Sequence, residues 1–210
     1  MTDRASLPGA PLRPILLAAG GSTRFAGGHK LLERLAVERV VARAARALLA
    51  AGLGRPTAIL GARADEVAAC LREAFGDAIE LRVNERFEDG MASSLAIAAR
   101  AVTHGEGMLI ALADMPLLAA GHHRAVAAAL DDSVASAVAR GAVRGVPGHP
   151  VALGAAWPSR LAELRGDRGA GPLLRGHEAA LVELPEPSQL DVDTREALER
   201  ARALVEPPGG

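Results

Sequence analysis

Residues 17–30 read Leu17-Ala18-Ala19-Gly20-Gly21-Ser22-Thr23-Arg24-Phe25-Ala26-Gly27-Gly28-His29-Lys30, a glycine-rich segment that begins at the end of an apolar run. The run at residues 14–19 is short and continuous, which is typical of a buried parallel strand. Gly20 and Gly21 allow backbone N–H groups to approach an anionic ligand, and Ser22 adds a hydroxyl donor. The segment therefore predicts a strand followed by a loop that binds a polyphosphate, with Arg24 and Lys30 facing the phosphates.

Two better-known phosphate loops do not match this segment. A Walker-type loop ends in Gly-Lys-Ser/Thr, but here His29 separates Gly28 from Lys30, and Leu31 stands at the hydroxyl position. A dinucleotide-binding loop requires G-x-G-x-x-G, which does not follow this strand. The segment therefore belongs to a different class of phosphate loop.

Apolar runs alternate with helical patterns along the chain and predict an α/β fold. Strands are predicted at residues 14–19, 57–61, 79–84, 108–113, 134–139, 150–153 and 180–184. Helices are predicted at residues 37–51, 65–75, 91–102, 119–130, 158–164, 171–175 and 194–205. This order favours one domain at residues 14–205, with a mostly parallel, doubly wound, Rossmann-like sheet and a partly antiparallel C-terminal extension. Residues 1–13 and 206–210 are expected to be disordered tails.

Composition excludes two classes of partner. The 210 residues are 50% hydrophobic but only 2% aromatic, and the formal net charge is −1. A chain with few aromatic rings and no basic excess is not expected to bind nucleic acid. The sequence contains no secretory h-region and no apolar run long enough to span a membrane. A cytoplasmic protein without membrane contact is therefore expected.

One carboxylate stands at the predicted end of the fourth strand. Residues 109–116 read Leu-Ile-Ala-Leu-Ala-Asp-Met-Pro, so that Asp114 follows an apolar strand and Pro116 turns the chain away. Ligands of open α/β sheets bind beyond the carboxyl ends of the strands. Asp114 is therefore a candidate ligand for Mg²⁺ beside the phosphate loop, with N-capping of the next helix as the alternative.

A second source of carboxylates precedes the last predicted helix. Asp191 and Asp193 alternate in an extended segment, which places both side chains on one face. Asp193 is favoured over Asp191 as the metal ligand. Because Thr194 follows and the helix begins there, N-capping by Asp193 is nearly as well supported.

The loop at residues 84–95 enters a helix and is a candidate site for the nucleotide base. Free N–H groups at the helix start, with the hydroxyls of Ser93 and Ser94, can recognise the polar edge of a base, and Gly90 leaves room for it. Ordinary N-capping by either serine is the alternative. Gly61, after the second strand, is expected to line the opposite side of the base.

These segments together resemble the MobA-like nucleotidyltransferases, and in particular their molybdenum cofactor cytidylyltransferase branch. The similar motifs are L-A-A-G-x-S-x-R with a lysine six residues later, N-x(5)-G-M-x-S-S-L, A-D-M-P, G-H-P-V, G-D-x-G-A and D-V-D-T, in this order along the chain. One departure is Gly171, which stands where the family usually has arginine at the end of G-D-x-G-A-R.

The resemblance implies transfer of CMP from CTP to the phosphate of a molybdopterin-type cofactor, with Mg²⁺ and release of pyrophosphate. Arg24, Lys30 and Asp114 would be catalytic, and Asp114 with Asp193 would bind the metal. The implied nucleotide site comprises Leu17, Ala18, Ala19, Gly20, Gly21, Ser22, Arg24, Lys30, Gly61, Gly90, Ser93, Ser94 and Asp114. The implied acceptor site comprises Asn84, His149, Pro150 and Asp167.

Two alternatives remain at this point. The same chemistry could use GTP or act on another phosphorylated acceptor, such as a sugar phosphate. A protein of another class would bind the cofactor without catalysis and deliver it to a molybdenum hydroxylase, the macromolecular partner that the resemblance implies. The presence of both Asp114 and Lys30 disfavours the carrier, since simple carriage requires no metal-activated triphosphate.

Overall fold

The computed structural model describes residues 11–22, 24–25, 27–166 and 169–205 of the chain. Its strands are β1 (Leu12–Ala18), β2 (Arg34–Leu35), β3 (Glu38–Arg39), β4 (Thr57–Leu60), β5 (Glu80–Val83), β6 (Gly107–Leu112), β7 (Val138–Val143), β8 (Val146–Leu153) and β9 (Ala180–Glu183). Its α-helices are α1 (Val40–Ala50), α2 (Ala64–Phe75), α3 (Met91–Arg100), α4 (Ala120–Ala128), α5 (Trp157–Ala162), α6 (Gly171–Leu174) and α7 (Arg195–Val205).

Seven of these strands form one sheet in the order β5-β4-β1-β6-β8-β7-β9. The strands β5, β4, β1 and β6 pair in parallel, and β8 is antiparallel to both of its neighbours. Because β8 reverses direction, its first residues lie at the same edge of the sheet as the carboxyl ends of β1 and β6. That edge is where a doubly wound sheet binds its ligand.

Helices cover both faces of the sheet, each over its own apolar core. Side chains of α1, α2, α4 and α7 pack on one face together with Leu16 and Ala18 of β1. Side chains of α3 and α5 pack on the other face together with Ile15 of the same strand. The alternation along β1 is the period of two that a strand buried on both faces requires. The mostly parallel, doubly wound fold with an antiparallel extension is thereby confirmed.

The strand β7 differs from the sequence prediction, since it lies at Val138–Val143 and not at residues 134–139. The cause is the tight turn to β8, where Arg144 and Gly145 both have positive φ, of 52° and 75°. Two-residue turns of this left-handed kind fix the register of a hairpin, and this one pairs Val143 with Val146. The strand β8 accordingly begins four residues earlier than predicted.

The N-terminal end of the sheet also extends beyond the prediction. The strand β1 begins at Leu12, so Leu12 and Arg13, assigned above to a disordered tail, belong to the sheet. Pro11, also within the predicted tail, accepts a hydrogen bond from the Gly107 N–H at 3.0 Å. The remaining tail residues, 1–10 and 206–210, lie outside the described residues. None of the helices in the described ranges is long and apolar enough to cross a membrane.

Gly107 tests the packing of β6 against its neighbours. A Cβ at this position would lie 2.3 Å from the Leu153 carbonyl oxygen and 2.7 Å from Leu12 Cδ2. We expect Gly107→Ala to lower the free energy of unfolding by about 1–3 kcal/mol, as overpacking does. Gly121→Ala is the control, because Gly121 lies in α4 with nothing within 4 Å of a Cβ; it should stabilise by about 0.5–1 kcal/mol. Urea unfolding of both variants makes the comparison, and equal stabilities would contradict the sheet packing described.

Candidate active site

The loop after β1 folds back on itself so that its serine contacts its lysine. Ser22 has a left-handed backbone, with φ of 53°, and its carbonyl accepts a hydrogen bond from the N–H of Phe25 at 2.9 Å. Ser22 Oγ accepts a hydrogen bond from the N–H of Lys30 at 3.2 Å. Gly20 and Gly21 remain exposed at the turn. The loop therefore presents open backbone to the ligand edge while its own hydroxyl fixes the start of the Lys30 segment.

The last helix holds the same loop from outside. The Arg195 guanidinium lies 4.7 Å from the centre of the Phe25 ring, and Phe25 is buried. Arg195 also donates to the Gly27 carbonyl at 3.3 Å and to the Glu33 carboxylate at 3.1 Å. Cation–π and hydrogen-bond contacts of this kind restrict the loop on either side of its bend. Residues Thr23 and Ala26 lie outside the described residues.

Three carboxylates meet where β6 ends. The N–H of Val192 donates to the Asp114 carbonyl at 2.9 Å, which attaches the segment before α7 to the end of β6. Val192 is fully buried. Its two neighbours, Asp191 and Asp193, point to the side where Asp114 lies, and one oxygen from each of the three carboxylates lies within 4.8 Å of the others. The alternation predicted from sequence thus brings both aspartates to Asp114.

Lys30 lies among these carboxylates. Its ammonium group donates hydrogen bonds to Asp114 and Asp193, and its Nζ is 3.8 Å from Asp191 Oδ1. The Lys30 side chain is 8% exposed, whereas that of Arg24, which pairs with Asp193 from outside, is 76% exposed. Lys30 is therefore a fixed charge and Arg24 a solvent-facing one.

The charges in this cluster alter one another's titration. Burial lowers the pKa of Lys30, but the Asp114, Asp193 and Asp191 carboxylates more than compensate, so that its pKa is raised overall and it stays protonated. Burial, reinforced by the charge of Asp114 and opposed by that of Lys30, raises the pKa of Asp191 to about 6. The three carboxylates thus carry more negative charge than the single ammonium group of Lys30 balances.

The carboxylate cluster fits a divalent cation. Hard cations such as Mg²⁺ prefer oxygen ligands, and carboxylates whose oxygens can converge on one point supply them. N-capping does not occupy these residues: α4 begins six residues after Asp114, and Thr194 Oγ1 accepts the Ala197 N–H at 3.1 Å at the start of α7. Asp114 is not a free carboxylate at the end of β6, because Lys30 binds it.

The serines at the start of α3 are held by Asn84. The Asn84 amide donates to Ser93 Oγ at 2.8 Å and to Ser94 Oγ at 2.9 Å, and its oxygen accepts the Arg86 N–H at 3.0 Å. Asn84 is 1% exposed. Its polar atoms are thus engaged inside the protein, where they join the end of β5 to α3. The N-cap residue of α3 is Gly90, and no side-chain hydrogen bond from a serine caps this helix.

Gly61 lies directly beside the end of β1. A Cβ on Gly61 would be 2.5 Å from the Ala19 carbonyl oxygen and 2.7 Å from Phe87 Cβ. The Ala62 N–H also approaches the same carbonyl, at 3.4 Å. The ends of β1 and β4 and the loop at residues 84–90 therefore lie against one another at the ligand edge.

His149 occupies the first half of β8, beside Pro150, which is buried. Burial lowers the pKa of His149 to about 4, so its imidazole is neutral at pH 7. Its Nδ1 is buried and has no hydrogen-bond partner among the described residues. Asp167, the remaining residue predicted for the acceptor site, lies outside the described residues.

The sequence analysis did not identify two residues, Gln189 and Arg195, that hold the backbone of the candidate site in place. Gln189 accepts a hydrogen bond from the His149 N–H at 3.0 Å and donates one to the His149 carbonyl, and so holds the backbone of β8. Arg195 holds the glycine-rich loop after β1 through Phe25 and Gly27. Neither carries a pattern of its own, although Arg195 immediately follows the D-V-D-T segment.

Comparison with solved structures finds close likeness over almost the whole chain. A nucleotidyl transferase from Methanothermobacter is 26% identical, with a TM-score of 0.79, over 92% of this chain and 97% of its own. The Rv0371c protein of Mycobacterium tuberculosis is 26% identical, with a TM-score of 0.78, over 93% and 98%. That protein has also been solved in complex with manganese, a structure with 25% identity and a TM-score of 0.75 over 91% and 97%.

No curated protein sequence gives a significant match. The family model of the MobA-like NTP transferase domain matches residues 14–181, which contain the glycine-rich loop after β1, Lys30 and Asp114. The match covers most of the chain and agrees with the fold and with the nucleotidyl transferase structures. The chain therefore belongs to the family of MobA-like NTP transferase domains.

Proposed function

We propose that this nucleotidyltransferase transfers CMP from CTP to the phosphate of a molybdopterin-type cofactor and releases pyrophosphate. The observation that carries the proposal is the position of Lys30, which joins the phosphate loop after β1 to the carboxylates at the end of β6. A loop for the triphosphate and a site for a divalent cation thus share one edge of the sheet. Enzymes that transfer phosphoryl or nucleotidyl groups combine these two features, a loop that binds phosphates and a divalent cation beside it.

The reaction needs no protein nucleophile. An oxygen of the acceptor phosphate attacks the α-phosphorus of CTP, a new P–O bond forms, and the bond to the β-phosphate oxygen breaks as pyrophosphate leaves. Negative charge grows on the phosphate oxygens during this exchange. Arg24 and Lys30 are the cations of the described loop that can neutralise it, and the open backbone at Gly20 and Gly21 supplies further donors.

Asp114, Asp191 and Asp193 would hold the divalent cation, for which Mg²⁺ is proposed. When bound there, the cation would supply electrostatic stabilisation of the phosphate oxygens. The Rv0371c protein, which this chain resembles, has been solved in complex with manganese, and this supports the use of a divalent cation. Lys30 now pairs with all three carboxylates, so binding of the cation and triphosphate would redirect its ammonium group toward the phosphates.

The base site is proposed between Gly61 and the start of α3. Asn84 fixes the hydroxyls of Ser93 and Ser94 in place, so these groups are preorganised rather than free to adapt. A rigid polar edge favours one base, because a mismatched donor or acceptor is left unpaired. Ala19 in L-A-A-G resembles the cytidylyl branch, since the guanylyl branch commonly has glycine at this position, and this supports cytosine.

The acceptor is proposed to lie along the first half of β8. His149 offers a neutral imidazole whose Nδ1 has no hydrogen-bond partner among the described residues. The side-chain amide of Gln189 binds both the backbone N–H and the backbone carbonyl of His149. The nitrogen can therefore make a hydrogen bond to an acceptor group. Asp167 is proposed for the same site on the resemblance alone.

Asp114→Ala should reduce metal-dependent turnover by more than about 100-fold, because it removes a principal electrostatic group at the reacting phosphates. Release of pyrophosphate from CTP measures the loss, and circular dichroism checks the fold. Asp77→Asn is the control, since Asp77 is exposed at the amino end of β5. Unchanged turnover in Asp114→Ala would refute the role of the carboxylate cluster.

Lys30→Ala and Arg24→Ala should raise the KM for CTP and lower the rate, while the KM for the acceptor changes little. Lys30→Arg should not restore activity, because a planar guanidinium cannot replace a compact ammonium in a buried site. Steady-state kinetics with each substrate varied makes the measurement. Arg55→Ala, an exposed arginine before β4, is the matched control. Normal CTP kinetics in both alanine variants would exclude the phosphate-loop assignment.

Competition among CTP, GTP, ATP and UTP tests the base site, with a molybdopterin-type cofactor as the acceptor. We expect a preference for CTP of well over tenfold, since each unpaired buried donor costs about 1–3 kcal/mol. A preference for GTP would assign the protein to guanylyl transfer. Tight cofactor binding without turnover of any nucleotide would support the carrier described among the alternatives, and turnover only with a sugar phosphate would change the acceptor.

A further inference from the structure

His29 is the residue between the glycine-rich loop and Lys30, and it points away from the carboxylate cluster. Its backbone is extended, with φ of −114° and ψ of 113°. Side chains that follow one another in an extended segment point to opposite sides. Because the Lys30 ammonium reaches Asp114, the His29 ring lies on the other side of the segment, behind the loop.

A cavity of about 650 Å³ lies behind the loop, and His29 forms part of its wall. Other parts of the wall come from β3 and α2, including Arg39, Arg63 and Cys70, and none of the three aspartates of the cluster lines it. The position of this cavity agrees with the direction of the ring. His29 therefore separates the glycine-rich loop from the space between the loop and α2.

The imidazole of His29 is buried without a hydrogen bond. The residue is 4% exposed, and neither Nδ1 nor Nε2 has a partner in the part of the chain that the structure describes. Burial lowers the pKa of His29, so the ring is neutral at pH 7 and carries one donor and one acceptor. Both nitrogens are enclosed by protein atoms, so a partner for them has to come from the protein itself.

The backbone of Gly20 is the nearest candidate for that partner. It raises the pKa of His29 and so opposes part of the effect of burial. A backbone group that favours the protonated ring is a carbonyl, because the ring donates to it. The Gly20 carbonyl is therefore a neighbour of the ring, although the two groups are not aligned as a hydrogen bond.

The peptide bond after Gly20 connects this carbonyl to the ligand side of the loop. In a planar trans peptide, the C=O of one residue and the N–H of the next point in opposite directions. A Gly20 carbonyl that turns toward His29 therefore turns the Gly21 N–H toward the side where Lys30 meets the carboxylates. Both glycines are exposed, and no atom of the described residues lies within 4 Å of a Cβ on Gly20, so the peptide has room to turn.

We propose that His29 is a positioning residue that binds the Gly20 carbonyl when the loop closes on a polyphosphate, and thereby presents the Gly21 N–H to a phosphate oxygen. The presence of a triphosphate at this loop rests on the proposed function. His29 itself touches neither the substrate nor the metal. Its ring gains the hydrogen bond that it lacks without ligand, so phosphate binding also removes an unpaired polar atom from the interior.

Binding of inorganic triphosphate with Mg²⁺, measured by calorimetry on the full chain, tests this role without an acceptor. His29→Leu has a similar volume but no donor, and should weaken triphosphate binding about three- to tenfold, the effect of one hydrogen bond. His29→Gln keeps an N–H of similar reach and should recover most of the affinity. His104→Leu, at an exposed histidine before β6, is the control and should bind as the parent protein does.

Thermal stability separates a positioning role from a structural one. His29→Leu removes two unpaired polar atoms from the interior, so the Tm of the ligand-free variant should be no lower than that of the parent. The rise in Tm that triphosphate produces should be smaller in the variant, because its affinity is lower. A lower ligand-free Tm with unchanged triphosphate affinity would make His29 structural only and would overturn the proposal.

Proton–nitrogen NMR of the parent protein observes the hydrogen bond directly and does not depend on the folding of a variant. Triphosphate with Mg²⁺ should move the ring N–H of His29 and the backbone N–H of Gly21 downfield together. The spectrum of His29→Gln, which lacks the ring signal, provides its assignment. A ring N–H of His29 that keeps its position at saturating triphosphate would overturn the proposal.

Turnover separates this proposal from the proposed function. If both hold, His29→Leu raises the KM for CTP, leaves the KM for the acceptor unchanged, and is rescued by His29→Gln. If triphosphate binding depends on His29 but no CMP reaches a molybdopterin-type cofactor, the positioning role stands and the acceptor assignment fails. If CMP transfer is normal and His29→Leu keeps the parent KM for CTP, the positioning role fails and the proposed function stands. A parent protein that binds no triphosphate would overturn both.

Discussion

The ion pairs of Lys30 with three aspartates are the interaction on which the ligand edge of this protein depends. They join parts of the chain that are distant in sequence: the loop after β1, the end of β6 and the segment before α7. One ammonium cannot fully balance three carboxylates at close range. The cluster therefore retains an attraction for further positive charge, and Arg24 at its exposed side is already drawn to Asp193. A site in this state is prepared for a cation before any nucleotide arrives.

Val192 explains how two of the three carboxylates reach the cluster. Its side chain is buried in the core shared with α7, and its N–H is bonded to the carbonyl of Asp114. Burial of one residue between two aspartates forces both carboxylates to the opposite side. The apolar core thus sets the geometry of a polar site, because the packing of Val192 restricts the positions of Asp191 and Asp193.

Much of this arrangement could be predicted from sequence because its signals are local. The apolar run before Gly20 predicted β1, the strand end at Asp114 predicted a carboxylate at the ligand edge, and alternation placed Asp191 and Asp193 on one side. What could not be predicted depends on contacts between distant residues. The anchoring of Phe25 by Arg195, the fixing of two serines by Asn84, and the pairing of Gln189 with His149 leave no periodic pattern. The shift of β7 had a local cause, the turn at Arg144 and Gly145, that an apolar run at residues 134–139 obscured.

The contact of Arg195 with the loop after β1 joins a late part of the chain to an early one. The loop is synthesised early, but the side chain that restrains Phe25 and Gly27 arrives only with the last helix. During translation the first strands can pair and collapse, since β1, β4 and β5 are neighbours in the sheet. The loop after β1 lacks this restraint until α7 has left the ribosome and docked. A nascent chain can therefore pair its first strands before the loop after β1 is restrained.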